Sequence, residues 1–103
     1  MTRGRFAPRA RRELRQAAEW IAEDNPDTAA ALLQAAVRAA DMVAGRPALA
    51  RTMLQLAPGR FRFWSLRGFP YLLVFDTDRT PPIVARVVHQ SRDLPVILAD
   101  LDD

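Results

Sequence analysis

The spacing of apolar residues changes once along this chain, and that change limits the folds open to it. Before residue 45, apolar residues recur every three or four positions, as on one face of an α-helix. From Arg60 onward they occur in short runs rich in β-branched and aromatic residues, which favours strands. Two helices followed by several strands predict an α+β domain.

Two helices are predicted in the N-terminal half. The first follows Pro8, and Asn25-Pro26 both ends it and starts the second, since asparagine is a good N-cap and proline fits the first helical position. Gly45 and Pro47 predict the end of the second helix. The first apolar stripe consists of Ala10, Leu14, Ala17, Ala18 and Ile21. The second consists of Ala29, Leu32, Leu33, Ala36, Val37, Ala40 and Val43. We expect the two helices to form an antiparallel hairpin.

Three strands are predicted over residues 60–66, 71–75 and 83–89, with a turn at Arg67-Gly68. Strict alternation divides the last strand between two faces. One face would carry Ile83, Ala85, Val87 and His89, and the other Val84, Arg86 and Val88. A short strand over residues 2–7 would precede the helices. Ser91 or Asp93 could start a short C-terminal helix, whose apolar residues are Leu94, Ile97, Leu98 and Leu101.

Length and composition narrow the class of protein. The 103 residues suffice for one domain with a single core, and we treat residues 1–103 as that domain. The absence of cysteine excludes disulfides and thiolate metal sites, and a single histidine argues against a zinc site. No apolar run reaches the ~20 residues of a membrane span, and the arginine-rich N-terminus does not resemble a secretory signal. We expect a cytoplasmic protein without cofactor or metal.

Charge is distributed unevenly along the chain. All fifteen basic residues are arginines, which suit carboxylates and phosphates, although biased codon usage also produces a chain without lysine. Most of the early charges are basic, and the C-terminal charges from Asp93 onward are acidic. Arg9, Arg11 and Arg12 oppose the dipole of the first helix, which suggests that Arg9 and Arg12 meet an acidic partner. The alternative is a solvated helix face containing an Arg15–Glu19 pair.

Polar side chains gather where the last predicted strand ends. Arg86, His89 and Arg92 follow one another within seven positions. Since strand ends and the turns after them present side chains from a rigid scaffold, these residues are candidates for a binding or catalytic rim. The alternative is structural: His89 caps the strand and Arg92 pairs with Asp93.

Aromatic residues alternate with arginines in the first predicted strand of the C-terminal half. Such a pattern can bind nucleic acid, because rings stack on bases and guanidinium groups bind phosphates. Ordinary strand patterning explains it equally, with Phe61 and Phe63 in the core and Arg60 and Arg62 on the wetter face. Trp64 shares the arginine face, so Arg60, Arg62 and Trp64 are further candidates for partner contact.

Trp20 lies at the border of the stripe on the first helix. We expect this side chain to pack against the core.

Short motifs in a fixed order resemble the ParE branch of the ParE/RelE superfamily of toxins from type II toxin–antitoxin modules. The N-terminal motifs are Phe6-Ala7-Pro8, Trp20-Ile21-Ala22 with Asn25-Pro26, and Gly45-Arg46-Pro47. The C-terminal motifs are Gly68 to Phe75, which is similar to a Gly-x-Tyr strand start with two extra residues, and Arg86-Val87-Val88-His89 through Arg92-Asp93. The resemblance covers nearly the whole chain. It implies a small twisted antiparallel sheet packed on the helical hairpin, with a short C-terminal helix.

The resemblance also separates two activities. ParE-like members are associated with inhibition of DNA gyrase, whereas RelE-like members cleave messenger RNA on the ribosome with basic residues on the sheet and, often, a tyrosine in the tail. This chain has no lysine, and its single tyrosine, Tyr71, lies at a strand start. The resemblance therefore implies a gyrase inhibitor without catalytic residues, bound by a cognate ParD-like antitoxin in a hetero-oligomer. The alternatives are a ribosome-dependent endoribonuclease using Arg60, Arg62, His89 and Arg92, and a non-toxic remnant that binds only its antitoxin.

Overall fold

The helical hairpin and the sheet occupy the positions that the sequence predicts. The computed structural model describes residues 2–101. The helices are α1 (Pro8–Ala22), α2 (Pro26–Gly45) and α3 (Leu94–Ile97), and a 3₁₀ turn covers Pro47–Leu49. The strands are β1 (Arg5–Phe6), β2 (Arg51–Thr52), β3 (Phe61–Ser65), β4 (Tyr71–Asp76) and β5 (Ile83–His89). None of the helices in residues 2–101 is long and apolar enough to cross a membrane.

The junction between α1 and α2 confirms the predicted cap. The side chain of Asn25 accepts a hydrogen bond from the backbone N–H of Thr28 at 3.1 Å, which satisfies one of the amides left free at the start of α2. Pro26 occupies the first helical position, where no N–H is needed. These two residues therefore allow α2 to start immediately after the turn and fold back along α1.

The five strands form one mixed sheet in the order β1-β5-β4-β3-β2. The expected antiparallel pairing holds from β2 to β5, whereas β1 pairs with β5 in parallel. A parallel pair needs a long crossover connection, and the helical hairpin lies within the segment that joins these two strands. The α+β prediction is confirmed, with the parallel pair and β2 as additions. β2 has only two residues, both exposed, so it leaves no apolar pattern in the sequence.

Both faces of the sheet are covered. On the hairpin side, Leu73, Phe75 and Val84 pack with Leu14 and Leu32 in a first core. On the opposite side, a second core forms under the C-terminal segment. Its buried side chains are Ala57, Phe61, Phe63, Leu72, Val74, Val88 and Leu98. The predicted apolar residues of the C-terminal helix, Leu94, Ile97, Leu98 and Leu101, all belong to this second core.

A β-bulge in β5 overturns the predicted division of that strand. Val74 pairs with Arg86 and Phe75 pairs with Val84, so Ala85 is an extra residue. The insertion shifts the alternation by one position, and Val84 and Val87 therefore share the hairpin face. Strict alternation placed these two residues on opposite faces and was wrong, because a single unpaired residue reverses every side chain that follows it.

Candidate functional site

A groove in the structure is bounded by three elements: α1, the outer edge of β5 and the C-terminal segment that contains α3. Its volume is about 750 Å³. Of the predicted site residues, it brings together Arg9, Arg86, His89 and Arg92. We refer to this cleft as the groove. It lies beside β5 because β1 pairs with that strand only as far as Val84, which leaves the later part of the edge without a neighbouring strand.

Arg86 connects all three walls of the groove. Its Nε lies 3.0 Å and 3.1 Å from the two carboxylate oxygens of Glu13 on α1, and its Nη2 lies 2.8 Å from Oε2. Its Nη1 donates to the carbonyl of Ile97 at 2.9 Å and lies 3.4 Å from Asp100 Oδ1. With its guanidinium so engaged and only 5% of the residue exposed, Arg86 serves to hold α1 and the C-terminal segment against β5. Its side chain is therefore engaged within the chain and is not positioned to contact a partner directly.

Glu13 has a second role at the strand edge. Its Oε1 accepts a hydrogen bond from the backbone N–H of Val87 at 2.9 Å. A carboxylate of α1 therefore satisfies an amide that would otherwise face outward from the edge of the sheet. Sequence reasoning missed Glu13, and the only signal was that it is the single acid among the arginines from Arg3 to Arg15.

Asp100 attaches the acidic end of the chain to its basic beginning. Its carboxylate forms ion pairs with Arg9 of α1 and with Arg86. The hydrogen bond from Arg9, with the positive charges of Arg9 and Arg86, lowers the pKa of Asp100 below its usual 3.8. Arg9 thus meets an acidic group, as its charge predicted, but that group belongs to the same chain.

His89 is held in one orientation at the end of β5. The backbone N–H of Ser91 donates to Nδ1 at 3.1 Å, and the Ser91 hydroxyl lies 2.7 Å from the same atom. Because Nδ1 accepts, the proton of the neutral ring lies on Nε2. The ring of Tyr71 packs edge-on at 5.1 Å between centroids. These contacts fix the imidazole at the rim of the groove.

Arg92 differs from the other arginines of the groove. It is exposed, and among residues 2–101 no carboxylate pairs with it, including the adjacent Asp93. Three arginines and two carboxylates line the groove, which leaves one excess positive charge. Since Arg9 and Arg86 are paired, that charge resides on Arg92.

Trp20 and Val96 give the groove an apolar rim. Trp20 is 73% exposed and Val96 is 67% exposed. The prediction that Trp20 packs against the core was wrong, because its position at the border of the stripe turns the indole towards the groove and not towards α2. Exposed apolar side chains beside a cleft are typical of surfaces that bind partners.

The remaining predicted site residues lie away from the groove. Arg60 pairs with Asp78 at 3.3 Å and stacks on Phe61, while Arg62 donates to the carbonyl of Ala50 at 2.9 Å. Trp64 is partly buried against the first core, on the hairpin side of the sheet. Phe61 and Phe63 are buried in the second core, whereas Arg60 is exposed and Arg62 and Trp64 are only partly buried, so the predicted division of β3 into a core face and a wetter face is confirmed.

Arg12 lies on the exposed face of α1 outside the groove. On the same helix, the predicted Arg15–Glu19 pair forms, with 3.8 Å between the charged atoms. Of the N-terminal arginines predicted to meet a partner, Arg9 lines the groove and Arg12 does not.

Residues 5–94 match the model of one protein family, described as the ParE toxin of the type II toxin–antitoxin system parDE. The matched region runs from β1 to the first residue of α3 and includes most of the residues that line the groove. A search of curated proteins found no significant match.

Proposed function

We propose that this chain, which belongs to the ParE family of toxins from type II toxin–antitoxin systems, arrests growth by binding DNA gyrase through the groove. A cognate ParD-like antitoxin forms a hetero-oligomer with the toxin and silences it. Both partners meet the chain in the cytoplasm. The toxin acts by occupying a surface of gyrase, and no bond is made or broken by the toxin itself.

The state of the charged groups in the groove supports docking over catalysis. Cleavage of RNA needs a base near the 2′-hydroxyl, a proton donor to the leaving oxygen and cations around the phosphate. Glu13 and Asp100 are held in ion pairs with Arg86 and Arg9, and Nδ1 of His89 is occupied by Ser91. A fixed histidine and an arginine that pairs with no carboxylate of the described residues 2–101, beside an apolar rim, suit recognition of a protein surface.

A supercoiling assay with purified gyrase tests the proposal. Stoichiometric toxin should block the introduction of supercoils, and prior addition of the antitoxin encoded by a neighbouring reading frame should restore them. Expression of the toxin alone should arrest growth. Full gyrase activity at saturating toxin would refute the proposal, whether or not growth is arrested.

Primer extension on translated messages tests the ribonuclease alternative. Codon-aligned cuts that appear only when the toxin is expressed would identify a RelE-like activity. Harmless expression together with normal antitoxin binding would identify a remnant that has lost its toxicity.

A further inference from the structure

The outer edge of β5 presents an unused pair of backbone groups to the groove. Gln90 donates its N–H to the carbonyl of Pro70, so its backbone faces towards the β4 side. Backbone groups alternate in direction along a strand, and the register between β4 and β5 is regular from residue 87 to residue 89. Val87 and His89 therefore direct their N–H and C=O groups away from β4 and into the groove.

Two of these four groups already have partners. The N–H of Val87 donates to Glu13 at 2.9 Å, and the C=O of His89 accepts from the N–H of Arg92 at 3.1 Å. Within residues 2–101, no loop or side-chain hydrogen bond reaches the C=O of Val87 or the N–H of His89. The edge thus offers one acceptor and one donor, which are separated by a single residue.

That pair matches one residue of a parallel strand. In a parallel ladder, a residue opposite Val88 donates its N–H to the C=O of Val87 and accepts from the N–H of His89. An antiparallel neighbour could reach the same two groups only through two of its residues, one on each side of the residue opposite Val88, so the free groups alone do not fix the direction. β1 already runs parallel to β5 and leaves it after Val84, so a partner strand would continue the same pairing.

The charge of the groove indicates what such a strand should carry. β5 runs towards Arg92, so the C-terminal end of a parallel segment would lie near this arginine, which has no carboxylate partner within residues 2–101. An acidic side chain there would gain a charge-assisted contact. Apolar side chains of the segment would meet Trp20 and Val96, which are both exposed.

We propose that the groove binds an extended segment of a partner protein as a parallel strand on β5, with an acidic residue of that segment at Arg92. Such strand addition takes affinity from backbone hydrogen bonds and specificity from the side chains. The inference rests on the proposed function in treating the groove as a docking surface, but it does not depend on gyrase being the target.

An NMR titration of the full chain with defined peptides tests this proposal. The probe is an acetylated and amidated hexapeptide of alternating valine and threonine with glutamate in its last position. The matched peptide has the glutamate first. The probe should shift the amide signals of Val87, His89 and Arg92 and bind at least about fivefold more tightly than the matched peptide, since only the probe places its carboxylate at Arg92.

Two substitutions at one position separate the backbone from the side chain. His89→Pro removes the outward N–H, and proline is tolerated on a free strand edge. His89→Ala removes the ring and keeps that N–H. The proline variant should bind the probe at least about fivefold more weakly than the alanine variant, which corresponds to one backbone hydrogen bond. Thermal melting and the unshifted amide signals of α2 verify that both variants fold.

Several results would overturn the inference. These are equal affinity for the two peptides, equal affinity of the proline and alanine variants, or no shift with the probe at about 1 mM, the weak limit of specific recognition. A double-stranded DNA oligonucleotide that shifts the same amides at lower concentration would assign the groove to nucleic acid. Gyrase inhibition without peptide binding would refute only the strand proposal, and peptide binding without gyrase inhibition would refute only the proposed target.

Discussion

Glu13 attaches α1 to the edge of β5. It binds Arg86 through both carboxylate oxygens and also accepts from the backbone of Val87. Glu13→Gln should lower the free energy of unfolding by about 2–4 kcal/mol, because it takes from a buried guanidinium the nearer of its two counter-charges and leaves only the more distant Asp100. Urea denaturation followed by circular dichroism measures the loss.

Glu19→Gln on the same helix is the matched control. Glu19 pairs with Arg15 at 3.8 Å on an exposed surface, so its substitution should lower the free energy of unfolding by less than about 0.5 kcal/mol. Equal losses for the two variants would show that the Arg86–Glu13 pair is no more important to stability than a surface ion pair.

Asp100 makes part of the stability depend on pH. The contact with Arg9 lowers the pKa of Asp100 below 3.8 in the folded protein. A carboxyl whose pKa is lowered by folding stabilises the protein above its unfolded pKa and loses that contribution as the pH falls through the folded value. The stability advantage of the wild type over Asp100→Asn should therefore be constant near neutrality and shrink below about pH 4.

Urea denaturation of both proteins between neutral and acidic pH measures this advantage. Asp24→Asn is the control, since Asp24 forms no ion pair among residues 2–101. An advantage over Asp100→Asn that persists unchanged into acid would contradict the role given to the Arg9–Asp100 pair.

The role of a side chain could be predicted from sequence only where the groups it contacts are close to it along the chain. Asn25 and Pro26 specify a helix start by themselves, and the structure confirms them. Arg86 stands out as a charge within a β-branched strand, but its partner Glu13 lies 73 positions away, and no local pattern connects the two. Whether Trp20 is buried or exposed depends on which side of α1 faces solvent. The packing of α1 against β5 determines that side, and the local sequence does not show it.

Among the elements, β1 is held by an unusually close approach to α2. The N–H of Gly4 donates to Asp41 Oδ1 at 2.7 Å, and a Cβ placed on Gly4 would lie 2.4–2.5 Å from atoms of Ala40. Gly4→Ala should destabilise the protein by about 1–3 kcal/mol, because β1 or α2 must shift. Thermal melting followed by circular dichroism measures the change.

Gly59→Ala provides the comparison, since the added methyl group would lie at an ordinary 3.7 Å from Leu54. This variant should change the stability by no more than about 0.5 kcal/mol. A Gly4→Ala variant as stable as Gly59→Ala would mean that the first strand does not need its close contact with α2.

The order and type of the elements followed from periodicity, whereas the bulge and β2 did not. Apolar spacing identifies α1, α2, β3, β4 and β5 because each buries a regular set of side chains. Ala85 breaks the alternation of β5 without any unusual residue type to reveal it. Which face of β5 meets the hairpin is therefore a property of the whole sheet.

At the scale of the whole molecule, folding brings the opposite charges of the two termini together. Arg9, near the start of the chain, pairs with Asp100, near its end, and Arg86 is paired as well. Because Arg9 is paired within the chain, the positive charge of the N-terminus only partly indicates where a partner binds. Among residues 2–101, the charge in the groove that has no carboxylate partner is that of Arg92, after the last strand.

Inhibition of gyrase by charge-reversed variants tests most directly whether the groove is the docking surface. Arg92→Glu should raise the toxin concentration needed for half-inhibition of supercoiling by at least about tenfold, since it places a like charge against an acidic partner. Arg79→Glu changes an exposed arginine between β4 and β5, outside the groove, and should leave that concentration within about twofold, as expected for a charge with no interface contact. Equal inhibition by the two variants would contradict docking through the groove.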